Sequence, residues 1–300
     1  MDMTHNKCCR RGANLRRRRR RRRKILRSII FSCSIIAVAV FVAVGSSMIR
    51  SGDGRTNRYD VEAGNNTYDN AVIENSKISE KNKIQNNQSM LDDIMNSTQY
   101  PKQLKDLALK NEEALEFVYD YPAEHVKEHT IDLTEEASMD SVPLFVQWDK
   151  RWGYEKYSGN FFAASGCGPT TLSMVVVYLT HNREASPIAV AKYSKEAGYS
   201  VDGSGSSWTL ISEGCMHYGV KAKAVALDES RMKAELDEGH PIVVNVGPGD
   251  FTDTGHFMVI TGYDDEGFSI NDPNSIEKSG KRWLFKNISS QIRAVWSMYV

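Results

Sequence analysis

The chain has 300 residues, and its 38 basic and 38 acidic side chains give a formal net charge of zero. Five cysteines with no Cys-x-x-Cys pair exclude a disulfide-rich scaffold and a structural zinc site, so no metal or other cofactor is expected. The zero net charge is a cancellation, because residues 1–28 carry 13 Lys and Arg against one acidic residue and the remainder is acidic.

An uncharged apolar stretch, residues 29–49, follows this basic tail directly. A helix rising about 1.5 Å per residue would cross a hydrocarbon core of roughly 30 Å over this length. Because Lys and Arg resist translocation, the sequence predicts a cytoplasmic tail at 1–28, a transmembrane signal-anchor helix at 29–49 and an extracytoplasmic remainder of a single-pass plasma-membrane protein. The open alternative is a cleaved signal peptide with small residues at 43–47, which would give a secreted protein.

The run of arginines at 16–23 allows a second interpretation, in which it binds nucleic acid or acts as a nuclear signal. Its position directly against the apolar stretch favours the topological role, because one arrangement then explains both segments. We therefore expect the membrane, through residues 29–49, as a partner and no nucleic acid.

The rest of the chain divides into three parts by composition. Residues 50–100 are rich in polar side chains and poor in large apolar ones, which predicts a disordered stalk. Residues 101–141 regain helical periodicity and then become acidic, which predicts an arm, and one hypothesis is that this arm inhibits the domain by covering its groove. All five Trp lie after residue 140, which predicts a globular domain at 142–300.

Cys167 lies in the segment SGCGPTT, which leads into the apolar run LSMVVVYL. Gly followed by Pro before such a run predicts a loop that enters a helix, with Pro169 in the first turn. Free backbone N–H groups and the positive end of the helix dipole would favour the Cys167 thiolate. Gly166 and Gly168 are expected to let a substrate backbone approach the sulfur. Cys167 is thus a candidate nucleophile, although a buried, inert cysteine at a helix start fits the same pattern.

A thiolate nucleophile needs a base that a third group orients. His256 stands at the entrance of an apolar strand, which is a rigid support for a base, whereas the other histidines lie in the tail, the arm, a turn or near helix ends. A hairpin turn at 264–267 would return a second strand beside the first and bring Asp272 toward the level of His256. Asp272 would then orient the imidazole, and it also fits a turn before Pro273.

Gln147 lies twenty residues before Cys167. Attack by a thiolate builds negative charge on the carbonyl oxygen, and a side-chain amide that donates to this oxygen typically stabilises the transition state by about 3 kcal/mol. Gln147 is therefore a candidate donor, although most Gln side chains simply lie on the surface.

These segments together resemble a known family. The order Gln, Cys, His, Asp is that of papain-like cysteine peptidases, and the strings VPLFVQWDKRWGY, SGCGPTTLSMV, GPGDFTDTGHFMVITGYDDEG and NDPNS resemble the C39-like branch, which is related to bacteriocin-processing double-glycine peptidases. The resemblance covers residues 100–300 and implies an α+β papain-like fold, with helices around Cys167 packed on an antiparallel sheet that carries His256 and Asp272. It implies Cys167 as nucleophile, His256 as base, Asp272 as orienting residue and Gln147 as oxyanion donor. Cleavage after a double glycine is not carried over, because the bacteriocin processors are fused to transporters and no P-loop occurs here.

The predicted function is a cell-surface thiol hydrolase that cleaves peptide or isopeptide bonds. Its expected substrate is a peptide or protein, and the peptides of the cell wall are one class that fits this expectation. The alternative is a catalytically silent binding module of the same fold, in which the tryptophans and the loop at 201–207 bind peptide or glycan.

Local signals predict the remaining elements of the domain. A disulfide between Cys167 and Cys215 is an open possibility. Helices are predicted to begin at Ser186, Ser207 and Asp228 and to end near Gly198, Gly219 and Gly239, and strands are predicted at 242–246, 256–263, 268–271 and 294–300.

Overall fold

A computed structural model describes residues 66–300 of the chain, with the surroundings of side chains described from residue 80. The predicted cytoplasmic tail and the predicted transmembrane helix at 29–49 lie outside these residues. Within 66–300, no helix combines the length and the apolar character needed to cross a membrane. Part of the predicted stalk, the whole arm and the whole globular domain lie inside the described range.

Most of the helices in the described range precede the main sheet in the chain. Short 3₁₀ helices lie at Glu112–Ala114, Gly214–Tyr218 and Ser289–Gln291. The α-helices are α1 (Asn66–Asn96), α2 (Lys102–Lys110), α3 (Leu115–Tyr119), α4 (Tyr121–Glu124), α5 (Thr134–Ser138), α6 (Phe162–Ser165), α7 (Cys167–Thr180), α8 (Pro187–Glu196), α9 (Thr209–Ser212), α10 (Glu229–Asp237), α11 (Ile276–Ser279) and α12 (Phe285–Ile288).

Two of the predicted helix starts are confirmed by side-chain caps. Ser186 accepts a hydrogen bond from a backbone N–H in the first turn of α8, and Asp228 does the same for α10. The helix predicted from Ser207 is only partly right, because α9 ends at Ser212 and a 3₁₀ helix completes the segment. Gly219 ends that 3₁₀ helix with a φ of +74°, which a residue without Cβ adopts easily.

The strands in the described range are β1 (Lys156–Tyr157), β2 (Asn160–Phe161), β3 (Ser200–Val201), β4 (Gly205–Ser206), β5 (Lys221–Ala224), β6 (Ile242–Val246), β7 (His256–Asp264), β8 (Gly267–Asn271), β9 (Arg282–Trp283) and β10 (Ile292–Tyr299). Within the described residues, six of them form one antiparallel sheet in the order β5-β10-β6-β7-β8-β9, and β1-β2 and β3-β4 form two small separate pairs. The sheet and its helices confirm the predicted α+β class, and the predicted strands match β6, β7, β8 and β10 within two residues at each end.

The sheet is buried on both faces in its centre. Successive side chains of a strand point to opposite faces, so Val243 of β6 packs in a core with Leu172 of α7, which we call the helical core. Ile242 and Val244 point the other way and pack in a second core with Met232 of α10. All residues of β6 are buried, as expected of a central strand between two layers.

The prediction of a disordered stalk is wrong for residues 66–96, because they form helix α1. The helix is polar on average, but near its C-terminal end Ile94 is fully buried and Met90 and Leu91 pack beside it. These apolar side chains are too few to change the average composition of the segment. The packing of one end of the helix against the third core therefore stabilises a helix that the polar composition of the segment does not predict.

The arm forms a third core together with the start of the globular domain. Leu104 of α2 and Phe117 and Val118 of α3 are buried in it. They pack in the same cluster as Phe161 and Ala163, which lie just before Cys167 in the chain. The helical periodicity of the arm thus corresponds to α2 and α3, and these helices support the segment that leads to the cysteine.

The end of the arm belongs to the helical core. Leu133 and Ala137 are 1% and 4% exposed and pack in the cluster that contains α7. Leu133 directly precedes α5 and Ala137 lies within it, and both stand between acidic and polar neighbours that dominate the composition. The boundary predicted at 142 therefore does not separate the arm from the domain.

Candidate active site

Cys167 is the first residue of α7, as predicted, and Gly166 precedes it with a non-helical backbone. The Cys167 side chain is half-buried and is a free thiol. The His256 side chain and the backbone N–H groups of Phe257 and Gly168 lie beside its sulfur and lower the pKa of the thiol. The start of a helix offers such N–H groups because they have no partner within the helix.

The pKa of the Cys167 thiol lies below its ordinary value of 9.0. Burial alone would raise this pKa, since it disfavours the charged thiolate. The hydrogen bond and the positive charge of His256 act in the opposite direction, as do the N–H groups of Phe257 and Gly168, and together they outweigh burial. The site therefore favours the thiolate form, which is the nucleophilic form of cysteine.

His256 opens β7 and is held by a buried carboxylate. Its Nε2 lies 2.7 Å from Oδ1 of Asp272, and the two residues are 5% and 0% exposed. Burial lowers the pKa of His256, but the charge and hydrogen bond of Asp272, together with Cys167, raise it to about 10. Because Nε2 faces Asp272, Nδ1 is the ring nitrogen left to face the thiol. The two pKa shifts together describe a thiolate–imidazolium pair.

A register shift in the β7–β8 hairpin explains how Asp272 reaches His256. The shift lies near position 261, and beyond it Val259 pairs with Asn271. Continued by one residue, this register places Asp272 opposite Met258, which shares a strand face with His256. A hairpin without the shift would place Asp272 opposite Val259, on the other face. The predicted approach of the two residues is thus observed, but it depends on a bulge that the turn alone does not reveal.

The loop after β8 fixes the Asp272 carboxylate. Oδ1 accepts a second hydrogen bond from the backbone N–H of Asn274 at 2.8 Å, and the N–H of Asp272 donates to Ser279 Oγ at 2.8 Å. The other oxygen, Oδ2, is buried and has no hydrogen-bond partner among the described residues. The carboxylate is therefore held through the same oxygen that receives the imidazole.

Gln147 lies beside the segment that enters α7. Its Nε2 donates to the carbonyl oxygen of Ala163 at 2.7 Å, and its backbone N–H donates to the carbonyl of Pro273 at 2.7 Å. The side chain is 5% exposed, and its Oε1 has no hydrogen-bond partner among the described residues. Gln147 thus connects the entry to α7 with the loop of Asp272, through one N–H of its side-chain amide and through its backbone N–H.

The flanking glycines have a different role from the one predicted. A Cβ at position 166 would stand 2.6 Å from the Phe162 ring, and one at position 168 would stand 2.5 Å from Ser206 Oγ. Real Cβ atoms do not approach that closely, so Gly166 and Gly168 let the protein itself pack against the cysteine loop. The prediction that they open a path for a substrate backbone is wrong, because other side chains already fill that space.

Two supports of the site were missed in the sequence. The side-chain amide of Asn271 donates to the carbonyls of Val142 and Pro143 at 3.1 and 3.0 Å, which fixes the segment that carries Gln147. Asn271 is followed by Asp272 and Pro273, a pair that predicts a turn. The sequence therefore explains a polar residue at 271 by the turn and gives no sign of its contact with residues 142 and 143.

The second missed support is a buried hydroxyl group. Tyr157 OH is 2.6 Å from Ser206 Oγ and 2.8 Å from Ser194 Oγ, and Ser206 is the residue that packs on Gly168. These residues come from β1, α8 and β4, which are far apart in the chain. No local signal connects them, because a Tyr and two Ser are ordinary residues for any domain.

Cys215 differs from Cys167 in every respect that matters for reactivity. It is fully buried in the helical core, and burial raises the pKa of its thiol to about 11. Both cysteines are free thiols, so the disulfide considered from the sequence is absent between them. Cys215 is thus an inert core residue that serves as an internal reference for Cys167.

Comparisons with known proteins agree with the resemblance seen in the sequence. Residues 139–300 match the model of the Peptidase_C39 like family. No curated protein matches the chain. The peptidase domain of Streptococcus ComA, a bifunctional ABC transporter involved in a quorum-sensing pathway, is 19% identical with a TM-score of 0.38, and the match covers 53% of this chain and 96% of that one. A Bacillus anthracis protein described as a C39-like peptidase is 16% identical with a TM-score of 0.34, over 53% and 95% of the two chains.

Both TM-scores are low, so these likenesses carry no argument about the site. The family model is the stronger finding, because it spans residues 139–300 of a 300-residue chain and includes Gln147, Cys167, His256 and Asp272. The chain therefore belongs to the Peptidase_C39-like family.

Proposed function

We propose that this chain is a cysteine peptidase that hydrolyses peptide or isopeptide bonds, with Cys167 as nucleophile and His256 as acid and base. One observation carries the proposal. The Cys167 thiol lies beside His256, which lowers its pKa, and Nε2 of His256 is 2.7 Å from the buried carboxylate of Asp272. A nucleophile, a base and a group that orients the base are the minimum set for covalent acyl transfer.

In the first half of the reaction, the thiolate sulfur of Cys167 attacks the carbonyl carbon of the scissile bond. A carbon–sulfur bond forms, and the carbonyl oxygen takes the negative charge. When this intermediate collapses, the carbon–nitrogen bond breaks and the leaving amine takes the proton from Nδ1 of His256. The products are a free amine and a thioester on Cys167.

In the second half, a water molecule replaces the amine. Neutral His256 accepts a proton from this water at Nδ1 as the oxygen adds to the thioester carbon. Collapse breaks the carbon–sulfur bond and releases the acid product and the Cys167 thiolate. Asp272 keeps the imidazole in the orientation and tautomer that both proton transfers need, because its Oδ1 receives Nε2–H throughout.

Gln147 is proposed as the donor to the negatively charged carbonyl oxygen. The support is its burial and its attachment to Ala163 and Pro273, which fixes the amide without using its second N–H. A donor that is already in place needs no reorganisation as charge develops, and loss of such a donor typically costs about 3 kcal/mol in the transition state.

The experiment that tests this proposal compares the two cysteines of the domain in the same molecule. The native full-length protein is treated with iodoacetamide over a range of pH, and alkylation of Cys167 and Cys215 is quantified by mass spectrometry. We expect native Cys167 to react at a lower pH than an unfolded thiol and Cys215 to react only after denaturation, because their pKa values are shifted in opposite directions. Equal labelling of both cysteines with one pH dependence would refute the proposal.

The alternative, a silent binding module, predicts another result with a covalent probe. A peptide-like electrophile such as a peptidyl aldehyde should form an adduct on Cys167 that the His256→Ala variant does not form. If neither protein forms the adduct, the binding module gains support. Two observations speak against the binding module. Among the five Trp, only Trp208 is substantially exposed, at 47%. The loop at 201–207 is itself hydrogen-bonded to Ser158.

The location and the substrate are proposed from the sequence. The basic tail and the apolar stretch at 29–49 favour an anchored protein whose domain lies outside the membrane, with a secreted form as the alternative. Membrane fractionation and protease protection of the full chain distinguish the two, since an anchored protein sediments with membranes and a secreted one appears in the medium. Mass spectrometry of peptides released from cell surfaces by wild type and by Cys167→Ala would identify the scissile bond.

A further inference from the structure

The arm contacts the loop that carries Asp272, although all but the last three residues of the arm lie before residues 139–300, which the family model matches. The central contact is the carboxylate of Glu113, in the 3₁₀ helix between α2 and α3. One of its oxygens accepts a hydrogen bond from Ser275 Oγ, and the other accepts from the backbone N–H groups of Ile276 and Glu277 at 2.7 and 3.1 Å. Three donors of the loop therefore converge on one side chain of the arm.

Asn111, which precedes Glu113 by two residues, binds the same loop. Its Nδ2 donates to the carbonyl oxygen of Asn274 at 2.9 Å and to the side-chain oxygen of Asn274 at 3.0 Å. Its own side-chain oxygen accepts the N–H of Glu113 at 3.0 Å, which fixes the turn that presents the carboxylate. Asn111 and Glu113 thus act on the loop as one unit.

Asn274 and Ser275, which the arm binds, also form hydrogen bonds with Asp272. The N–H of Asn274 donates to Oδ1 of Asp272 at 2.8 Å, while the carbonyl of Asn274 receives Asn111. Ser275 is 4% exposed, and its N–H donates to the carbonyl of Asp272 at 3.2 Å while its hydroxyl donates to Glu113. A shift of Asn274 or Ser275 therefore moves the carboxylate that orients His256.

The arm is itself fixed to the other side of the site. Leu104 and Phe117 pack in one core with Ala163, whose carbonyl receives the Gln147 amide. A Cβ at Gly153 would stand 2.7 Å from the Phe117 ring, so the ring is seated directly on the backbone of the domain. The arm thus joins the entry to α7 and the loop after β8 through one packed unit.

We propose that the arm is a positioning element of the active site, and that Glu113 is a positioning residue that holds the Asp272 loop in place. The inference depends on the proposed function, because it assigns Glu113 to the support of the Cys167–His256–Asp272 set. It gives the arm the opposite role to inhibition by covering a groove. Without Glu113, three donors of the loop lose their acceptor, Asp272 moves from His256, and the imidazolium that stabilises the Cys167 thiolate loses its partner.

The test uses the pH dependence of Cys167 alkylation, which needs no known substrate. Full-length wild type, Glu113→Ala and Glu113→Gln are treated with iodoacetamide over a range of pH, and Cys167 is quantified by mass spectrometry. Glu112→Ala is the matched control, because Glu112 is the adjacent residue of the same turn and its side chain contacts Asn87 instead of the loop. Asp272→Asn shows how far the midpoint of Cys167 alkylation shifts when the carboxylate is lost completely.

We expect the midpoint of Cys167 alkylation to rise by about one pH unit in Glu113→Ala, in the direction of Asp272→Asn, and to stay unchanged in Glu112→Ala. Glu113→Gln keeps one acceptor oxygen, so its midpoint should lie between wild type and Glu113→Ala. It also replaces the Ala variant if that variant does not fold, which far-UV circular dichroism determines. A support that only stabilises the fold would lower the melting temperature and leave this midpoint unchanged.

The outcomes separate this inference from the proposed function. A low midpoint in wild type that persists in both Glu113 variants would overturn the positioning role and leave the proposed function intact. If wild-type Cys167 reacts no faster than an unfolded thiol at low pH, the proposed function fails first. An upward shift in Glu113→Ala that Glu112→Ala does not share supports the inference.

Discussion

The Asp272 carboxylate is bound asymmetrically, and this asymmetry has an energetic consequence. Oδ1 receives both His256 and the N–H of Asn274, while the buried Oδ2 has no partner among the described residues. A buried charge is costly unless an opposite charge and hydrogen bonds compensate it. The imidazolium of His256 supplies that opposite charge. The imidazolium thus depends on the carboxylate, and removal of Asp272 should change the protonation of His256.

The first prediction concerns the Asp272→Asn variant. His256 has a pKa of about 10, raised from 6.5, so the imidazolium is present at neutral pH and is lost as the pH rises through about 10. Asparagine removes the negative charge but keeps the shape, and burial then lowers the pKa of the imidazole. We expect the titration midpoint of His256, measured by NMR of its ring nitrogens, to fall by several pH units, to near or below 6.5.

The matched control for this prediction is Asp265→Asn, the same substitution at an exposed position of the same hairpin. It should leave the His256 titration unchanged. An unchanged midpoint in Asp272→Asn would mean that Asp272 does not determine the charge of the imidazole.

The second prediction concerns Gly168. A Cβ at this position would stand 2.5 Å from Oγ and 2.7 Å from Cβ of Ser206. Gly168→Ala should therefore destabilise the fold by about 1–3 kcal/mol in chemical denaturation and slow the alkylation of Cys167, because the start of α7 must move. Adding Ser206→Gly removes both clashing atoms, so Gly168→Ala should cost much less in the Ser206→Gly background than in wild type, whatever Ser206→Gly itself costs through its lost hydrogen bond to Tyr157.

Gly262→Ala is the control for Gly168→Ala, because a Cβ at Gly262 meets nothing within 4 Å. It should change the free energy of unfolding by less than about 0.5 kcal/mol. If Ser206→Gly fails to compensate Gly168→Ala, the close packing of Ser206 is not the reason for glycine at 168.

At the scale of elements, one carboxylate joins α10 to two strands of the sheet. Glu235 of α10 accepts hydrogen bonds from Ser297 of β10 at 2.8 Å and from Lys223 of β5 at 3.0 Å, and it lies 3.1 Å from Nδ1 of His240. The His240 contact comes first among the causes that lower the pKa of Glu235 to about 2. The edge of the sheet thus depends on a charge that acid removes.

The third prediction is that this junction weakens in acid. The pKa of Glu235 is about 2 in the folded protein and about 4.5 when unfolded, so its contribution to stability is present above pH 4.5 and is lost as the pH falls toward 2. We expect a loss of up to about 3 kcal/mol in the free energy of unfolding over this range, measured by urea denaturation at several pH values. Glu235→Gln should remove this part of the pH dependence.

Glu229→Gln is the comparison for Glu235→Gln, because Glu229 lies on the same helix, is 47% exposed and contacts only Lys233 of its own helix. It should keep the acid dependence of wild type. If both variants lose stability in acid as wild type does, other carboxylates govern the acid transition.

Elements were predictable from the sequence where their signals are local. Ser186 and Asp228 cap α8 and α10 because a side chain and the N–H groups three residues on suffice to form the cap. The bulge near position 261 was not predictable, since it depends on how two strands pair and not on the turn between them. Strand β5 was missed because it has only four residues, is largely exposed, and its alternating Lys and Ala include none of the β-branched or aromatic side chains typical of strands.

At the scale of the whole molecule, the order of Gln147, Cys167, His256 and Asp272 sufficed to select the residues that the fold brings together. Cys167, His256 and Asp272 each have a local signal, namely a helix entrance, a strand start and a turn, whereas Gln147 has none. The arm could not be placed in this way, because Glu113 and Ile276 are joined by one contact across 163 positions of the chain. The role of Gly166 and Gly168 was predicted wrongly because the sequence around them does not show that the side chains of Phe162 and Ser206 pack against them.

The contacts of the arm with both sides of the site lead to the last prediction, that arm and domain unfold as one unit. Leu104 of α2 is fully buried in the core shared with Ala163, whereas Leu109 of the same helix is 57% exposed. We expect Leu104→Ala to lower the free energy of unfolding by about 2–5 kcal/mol, while Leu109→Ala changes it by less than about 0.5 kcal/mol.

Two probes at different places test whether that loss reaches the whole domain. Tryptophan fluorescence reports on residues 148–296, and alkylation of Cys215 reports on the opening of the helical core, which does not include Leu104. In Leu104→Ala both probes should shift to lower denaturant by the same amount, because the arm supports the entry to α7 and the Asp272 loop together. If Cys215 keeps its wild-type protection while the arm melts, the arm is a separate unit and its support of the site is not cooperative with the fold.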